Sequence, residues 1–233
     1  MIPFLLALAA ATPSPPPALA PSAIVAAAPA SEWVAIAPDD LMVMDLAGDR
    51  RVVIQLMPAP FSQGWVGNIR KLVEARWYDG TSVNRVQDNY VAQWGDANGE
   101  DKAKAKALPS SLIAVSQIAY TLSDRELSRS ISLSSAILKG MMLRAATSIE
   151  QSEQFLCDSF GCPHFMDGWP MAHDGKPQGR TSPTHCYAMV GVGRDMPPDT
   201  GTGAELYTVI GHAPRHLDRN IALVGRVIAG IEQ

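Results

Sequence analysis

The stretch WYDGTSVNRVQDNYVAQWGD, residues 77–96, constrains the fold of this 233-residue chain more tightly than any other. Asp79-Gly80 is a reversal signal, because glycine enters positive φ without steric cost and such pairs favour tight turns. Val83 and Arg85, then Tyr90, Val91 and Gln93, alternate about a polar break at residues 87–89, which predicts two short strands joined by a bend. Arg85 then stands on one face of a sheet, with aromatic and aliphatic side chains close by.

Further strands are legible on both sides. Residues 41–46 (LMVMDL) and 51–57 (RVVIQLM) flank Ala47-Gly48-Asp49 and predict a hairpin. Trp65, Ile69, Leu72 and Val73 recur at helical spacing after Ser62, a residue suited to capping, so residues 62–76 read as an amphipathic helix with its apolar side in the core. Near the C-terminus CYAMVGV, ELYTVIG and IALVGRVI predict three more strands, the first two separated by the Gly/Pro-rich loop GRDMPPDTGTG. Such a loop beside a sheet can present backbone groups to an extended peptide.

The middle of the chain reads differently. NGEDKAKAKAL is polar and exposed in character. Ser123 and Glu126 have capping-box spacing, and Leu127, Ile131, Leu138, Met141, Ala145 and Ile149 mark one face of a helix. Met141 and Met142 read as ordinary core on that helix. Residues 158–182, rich in Gly, Pro, Asp and His, read as loop.

Composition narrows the function. A net charge of -4 and a pI near 5.7, with no Lys/Arg run, leave no electrostatic footprint for nucleic acid. Residues 1–20 join an apolar run to small residues and read as a signal peptide, although no Lys or Arg precedes Arg50; the alternative is an Ala/Pro-rich leader. That run falls short of the roughly 20 residues a membrane span needs. Residues 21–31 read as a Pro/Ala-rich linker and residues 32–233 as one domain, a size that buries a sizeable core. An exported, periplasmic protein is expected. Cys157 and Cys162 can close a small loop in an oxidising compartment, and Cys186 reads as a core thiol. A metal site from Cys157, Cys162, His164 and His185 or Cys186 matches no zinc spacing, so no metal is expected. With no Ser/His/Asp order and no Gly-x-Ser-x-Gly elbow, a hydrolase is not expected either.

Taken in order, the motifs resemble the cyclophilin-type peptidyl-prolyl cis/trans isomerases. Val83-Asn84-Arg85-Val86 and the segment Tyr90-Val91-Ala92-Gln93-Trp94-Gly95-Asp96 resemble that family's F-H-R-V and F-M-x-Q-G-G-D. Residues 189–192, GTGAELYTV, His216-Leu217-Asp218 and Leu223-Val224-Gly225-Arg226-Val227 resemble its S-M-A-N-A, N-G-S-Q-F-F-I, W-L-D-G and V-F-G-x-V segments. The resemblance covers residues 41–96 and 187–230 and leaves residues 97–185 as an insertion. It implies a mostly β fold with helices: an antiparallel barrel capped by helices, carrying a long, partly helical insertion. It also implies a last barrel strand beyond residue 230 that the sequence does not supply, unless residues 33–36 compensate.

The resemblance further implies isomerisation of X-Pro bonds without a cofactor, in a monomer that takes proline-containing peptides and folding proteins as partners; with its apolar run too short to span, the chain is not expected to insert stably in membranes. Arg85 would be the catalytic donor. Tyr90, Val91, Tyr207 and Leu217 would form the proline pocket, Gln93 would meet a substrate backbone group, and Val190, Gly191 and Glu205 would complete the binding surface. Several positions depart from the family. Tyr90 and Tyr207 add hydroxyls that need partners, Val91 replaces methionine, Glu205 replaces glutamine and places a carboxylate near Arg85, and His216 and Ile221 replace tryptophan and histidine. The altered pocket keeps a second reading open, a binding or chaperone module of the same fold with little turnover.

Overall fold

The computed structural model describes residues 18–132, 157–176 and 179–233. The chain divides into two compact units, Met1–Ile36 and Ala37–Gln233. In the first, Pro21–Ala27 forms a short helix, α1. Its alanines are strong helix formers, and a proline at the start fits where the missing N–H is no loss. Residues 33–36 form no strand. The expected leader lies almost wholly outside the described residues. Among these, no helix is long and apolar enough to cross a membrane.

The second unit opens with the expected hairpin of β1 (Leu41–Leu46) and β2 (Arg50–Leu56), turning through Gly48 and Asp49 at positive φ. Helix α2 (Gln63–Glu74) follows and buries Trp65, Val66, Ile69 and Leu72. Fully burying such a side chain contributes about 1.5–3 kcal/mol relative to exposure, so this face fixes the helix. Ser62 does not cap it. Its backbone sits at φ 55° and its buried hydroxyl has no hydrogen-bond partner. Gln63 secures the entry instead, donating from Nε2 to the carbonyls of Met57 and Phe61 at 3.0 and 2.8 Å.

The strands β3 (Ser82–Gln87) and β4 (Val91–Gly95) form the predicted pair. With β9 (Met189–Val192), β10 (Leu206–Val209) and β11 (Leu223–Ala229) they complete a seven-stranded antiparallel sheet in the order β1-β2-β11-β9-β10-β4-β3. The sheet curls into a half-barrel around a core that includes Ile54, Met57, Trp65, Ile69, Met189, Leu206 and Leu223. Central strands β9 and β10 are buried throughout, whereas β3 is exposed along its whole length at one edge.

The insertion is where expectation and structure part. Residues 158–182 are not a loop. They contain β6 (Cys162–Met166), β7 (Trp169–His173) and the start of β8 (Arg180–Pro183), which join β5 (Leu122–Ser123) in a second, four-stranded sheet. The turn between β6 and β7 is Asp167-Gly168, with φ of 49° and 76°, the double positive-φ geometry that suits strand twist. Pro163 and Pro170 inside the strands obscured the signal, since proline normally argues against strand interiors. Arg226 latches this sheet to the first: its guanidinium lies 4.2 Å from the Trp169 ring centroid, and Nη1 donates to the Gly168 carbonyl at 2.7 Å.

Helix α3 (Asp124–Ser132) starts with the predicted capping box, Ser123 N and Oγ donating to Glu126 Oε2 at 2.8 and 2.7 Å and Glu126 N donating back to Ser123 Oγ at 3.3 Å. The expected continuation through Leu138, Met141, Met142, Ala145 and Ile149 lies outside the described residues. Cys157 and Cys162 are joined in a disulfide, and Cys186 is a half-buried free thiol against the core. No group of three metal-ligating side chains occurs among the described residues.

Candidate active site

Opposite residues on neighbouring strands share a face, and one cross-strand row builds the site. Arg85 of β3 pairs with Gln93 of β4, Gln93 with Tyr207 of β10, and Tyr207 with Gly191 of β9. The register of β3 shifts between Val83 and Arg85, and such a bulge re-aims the side chain that follows it. Arg85 thereby shares a face with Gln93 and Tyr207.

Polar bonds run along this row. Arg85 donates from Nη1 to Gln93 Oε1 at 3.3 Å and from Nη2 to Gln87 Oε1 at 2.6 Å. Gln93 in turn donates from Nε2 to the Glu205 carboxylate. Glu205 therefore reaches Arg85 through the Gln93 amide, and no ion pair joins the two among the described residues. Its side chain lies between two glycines: a Cβ on Gly193 would come within 2.8 Å of Glu205 Cγ, and one on Gly95 within 3.3 Å. Either substitution would push against the carboxylate that orients Gln93.

Beside the row lies an apolar cluster. Val91, Tyr207 and Val209 are buried together, with Tyr90 and Ile221 packed on them. This is the face of the sheet opposite the main core, which takes Trp94, Leu206, Val190 and Val192. Val190 is thus turned into the core and not toward the binding face. Gly191 lies on the site's face but beneath Tyr207, where a Cβ would meet ring atom Cζ at 2.3 Å. Leu217 lies in a half-buried 3₁₀ turn, Arg215–Leu217, outside the cluster. Ile221, which stands where the family has a histidine, packs on the cluster.

Both tyrosine hydroxyls find histidines. Tyr90 Oη is 3.4 Å from Nε2 of the exposed His216, the rings parallel to within 10°. Tyr207 Oη lies 2.7 Å from Nε2 of His185, which is wholly buried. Those rings lie within 8° of parallel with centroids 6.1 Å apart. On the far side, His185 Nδ1 meets Asp218 Oδ1 at 2.8 Å, and the same oxygen accepts the His185 backbone N–H at 2.8 Å. Arg215 donates from Nε to the other Asp218 oxygen and from Nη1 to Asp158 Oδ2 at 2.8 Å.

The protonation states follow from this surrounding. Burial holds His185 below its ordinary pKa, more strongly than the Asp218 hydrogen bond raises it. Burial also acts most strongly on Asp218, upward, but hydrogen bonds from His185 and Arg215 together bring its carboxyl below the usual range. Burial pushes the Tyr207 phenol well above its ordinary value. The set is therefore neutral imidazole, carboxylate and neutral phenol: His185 donates from Nδ1 to Asp218 and accepts at Nε2 from Tyr207. His185 and Asp218 had no role in the sequence reading of the site. The usable signal was Tyr207 itself, whose added hydroxyl required a partner.

The arrangement offers a guanidinium donor beside an apolar, aromatic surface. It is suited to holding an amide and polarising it. The cyclophilin type peptidyl-prolyl cis-trans isomerase/CLD family model matches residues 42–233. Among solved structures the fold is similar to the crystal structure of cyclophilin AquaCyp293 from Hirschia baltica, with 19% sequence identity and a TM-score of 0.56 over 84% of this chain and 66% of that one. No curated protein matches the sequence. The family model spans most of the chain, including the whole Arg85 to Gly191 row, and the chain belongs to the cyclophilin-type peptidyl-prolyl cis-trans isomerase family.

Proposed function

We propose that the chain catalyses cis/trans rotation of X-Pro peptide bonds in exported proteins, with Arg85 stabilising the twisted imide. The observation that carries this reading is the row that places the Arg85 fork, oriented by Gln93, on one face with the Val91, Tyr207 and Val209 cluster. Rotation about the imide costs about 18–20 kcal/mol because resonance gives C–N double-bond character. Twisting by 90° ends that resonance and returns the lone pair to nitrogen. A donor aimed at the nitrogen then binds the twisted state better than the planar one, and that difference is what accelerates rotation. Guanidinium has five N–H donors in a rigid fork; two serve Gln93 and Gln87, leaving others for substrate.

The apolar cluster supplies the second requirement, a surface against which the proline ring stays still while the other side of the bond turns. Tyr90, Val91 and Tyr207 hold the ring, and Gln93 aligns Arg85. Export is favoured by the leader-like residues 1–20 and by the Cys157–Cys162 disulfide, which suits an oxidising compartment.

A second reading has its own observation. Gln93 spends its amide on Glu205, and Tyr207 is only 5% exposed, so the pocket is shallow and one substrate contact is preoccupied. A binding module with little turnover would look like this. An isomerisation assay on an Ala-Pro peptide, with Arg85→Ala beside the native chain, decides. Acceleration that falls about 10²–10³-fold in the variant supports catalysis by the cation; native protein that binds the peptide without accelerating it supports the binding module.

A further inference from the structure

Donation by Arg85 requires no buried histidine, yet the polar chain behind Tyr207 is continuous, and its inner members His185 and Asp218 are buried. The inference drawn from it rests on the reading of the Tyr207 face as the proline pocket. The Tyr207 ring is fixed at three points. Its underside lies on Gly191, where any Cβ would fall 2.3 Å from Cζ and Oη. Its strand pairs on both sides, with Gln93 and with Gly191. Its far end is tied by the hydroxyl to His185 Nε2 at 2.7 Å. A phenylalanine in the same place would keep the first two restraints and lose the third.

His185 is itself immobilised. Asp218 Oδ1 accepts from both its backbone N–H and its Nδ1, each at 2.8 Å, which fixes the tautomer and turns Nε2 toward the phenol. Asp218 is in turn held by Arg215, whose guanidinium also binds Asp158 at 2.8 Å and lies 5.6 Å from the Phe160 ring centroid, both residues inside the loop closed by Cys157 and Cys162. We propose that His185 is a positioning residue for the proline pocket: through the Tyr207 hydroxyl it fixes the height and tilt of the ring on which the substrate proline rests. It touches no substrate and takes no part in proton transfer. Its effect is on how well the proline is held, with the rotation step left to Arg85.

The test is a double-mutant cycle in the full chain with His185→Leu, Tyr207→Phe and the pair together, reading KM and kcat on an Ala-Pro peptide and affinity for that peptide by NMR titration. Each single change leaves a buried polar atom unpartnered and frees the ring. KM should rise about tenfold, the worth of one hydrogen bond, while kcat stays within about twofold. The double variant should bind no more weakly than either single variant, because all three lack the same hydrogen bond. A merely structural role would lower the unfolding midpoint without splitting KM from kcat. An unchanged KM in a folded His185→Leu protein, or losses that simply add in the pair, would overturn the proposal. If His185→Leu fails to fold, Tyr207→Phe, which keeps the ring volume, decides by itself: unchanged KM overturns the proposal. Absence of turnover in the native protein would sink the isomerase reading instead, and the titration would still report whether His185 governs the pocket.

Discussion

Glu205 sits one residue before the strand that carries Tyr207, and its carboxylate reaches the cation only through the Gln93 amide. Its charge nonetheless lies in the field of Arg85 and partly offsets the positive potential offered to substrate. Replacing it by glutamine keeps an acceptor for Gln93 and removes the charge. Glu205→Gln should raise kcat/KM about threefold, with a larger gain at low ionic strength, where charges are less screened. A loss of activity would show instead that the carboxylate is needed to orient Gln93. Initial rates at two salt concentrations separate the outcomes.

His185 carries the pH dependence. Its pKa in the folded protein is depressed, so below about 6.5 the unfolded chain takes up a proton that the native state refuses, and stability falls as pH drops. Asp218 is also depressed, so its contribution persists above about 3.9 and is lost only as pH falls through its lower folded value. Melting temperature should therefore decline in a first stage starting near pH 6.5. His185→Gln, which cannot titrate, should flatten that stage relative to the native protein; equal slopes from pH 7 to 5 would contradict the assignment. Arg85 and Gln93 were legible in the sequence because a contiguous motif carries both. His185 was not, because its meaning depends on Asp218, which lies 33 residues away and meets it only in the folded sheet.

At the scale of elements, sheet pairing reflects local pattern well where strands alternate cleanly. The β1–β2 hairpin, the β3–β4 pair, helix α2 and the α3 capping box all lie where periodicity and turn residues put them. The second sheet was hidden because its strands carry prolines, even though Asp167-Gly168 has the same turn residues as Asp79-Gly80. The capping role expected of Ser62 failed because its left-handed backbone turns the hydroxyl away from the helix N–H groups. Register makes its own prediction. Gly191→Ala places a methyl group against the Tyr207 ring, in a strand buried throughout, and should destabilise by about 1–3 kcal/mol through overpacking. A denaturant midpoint unchanged from native would mean that the ring is not held over β9.

Across the Ala37–Gln233 unit, the two sheets meet through Arg226, which joins Gln55 of β2 at 2.9 Å, the Gly168 carbonyl and the Trp169 ring. Arg226 lies apart from the Arg85 row. Arg226→Ala should loosen the second sheet and speed limited proteolysis within residues 157–183, while kcat/KM on a short peptide stays within about twofold, since loss of a cation–π contact and two hydrogen bonds costs only a few kcal/mol. Unchanged cleavage would show that the apolar contacts of Trp169 and Met171 suffice to hold the sheet.

Catalysis here comes down to what one arginine does to one bond. Exchange NMR on a short Ala-Pro peptide, with catalytic amounts of native protein, Arg85→Ala and Arg85→Lys, measures the cis/trans rate directly and without a coupling enzyme. The native protein should accelerate exchange, Arg85→Ala should be about 10²–10³-fold slower with peptide binding retained, and Arg85→Lys, which keeps the charge but loses the fork, should be intermediate. Equal rates in the native protein and Arg85→Ala would contradict it.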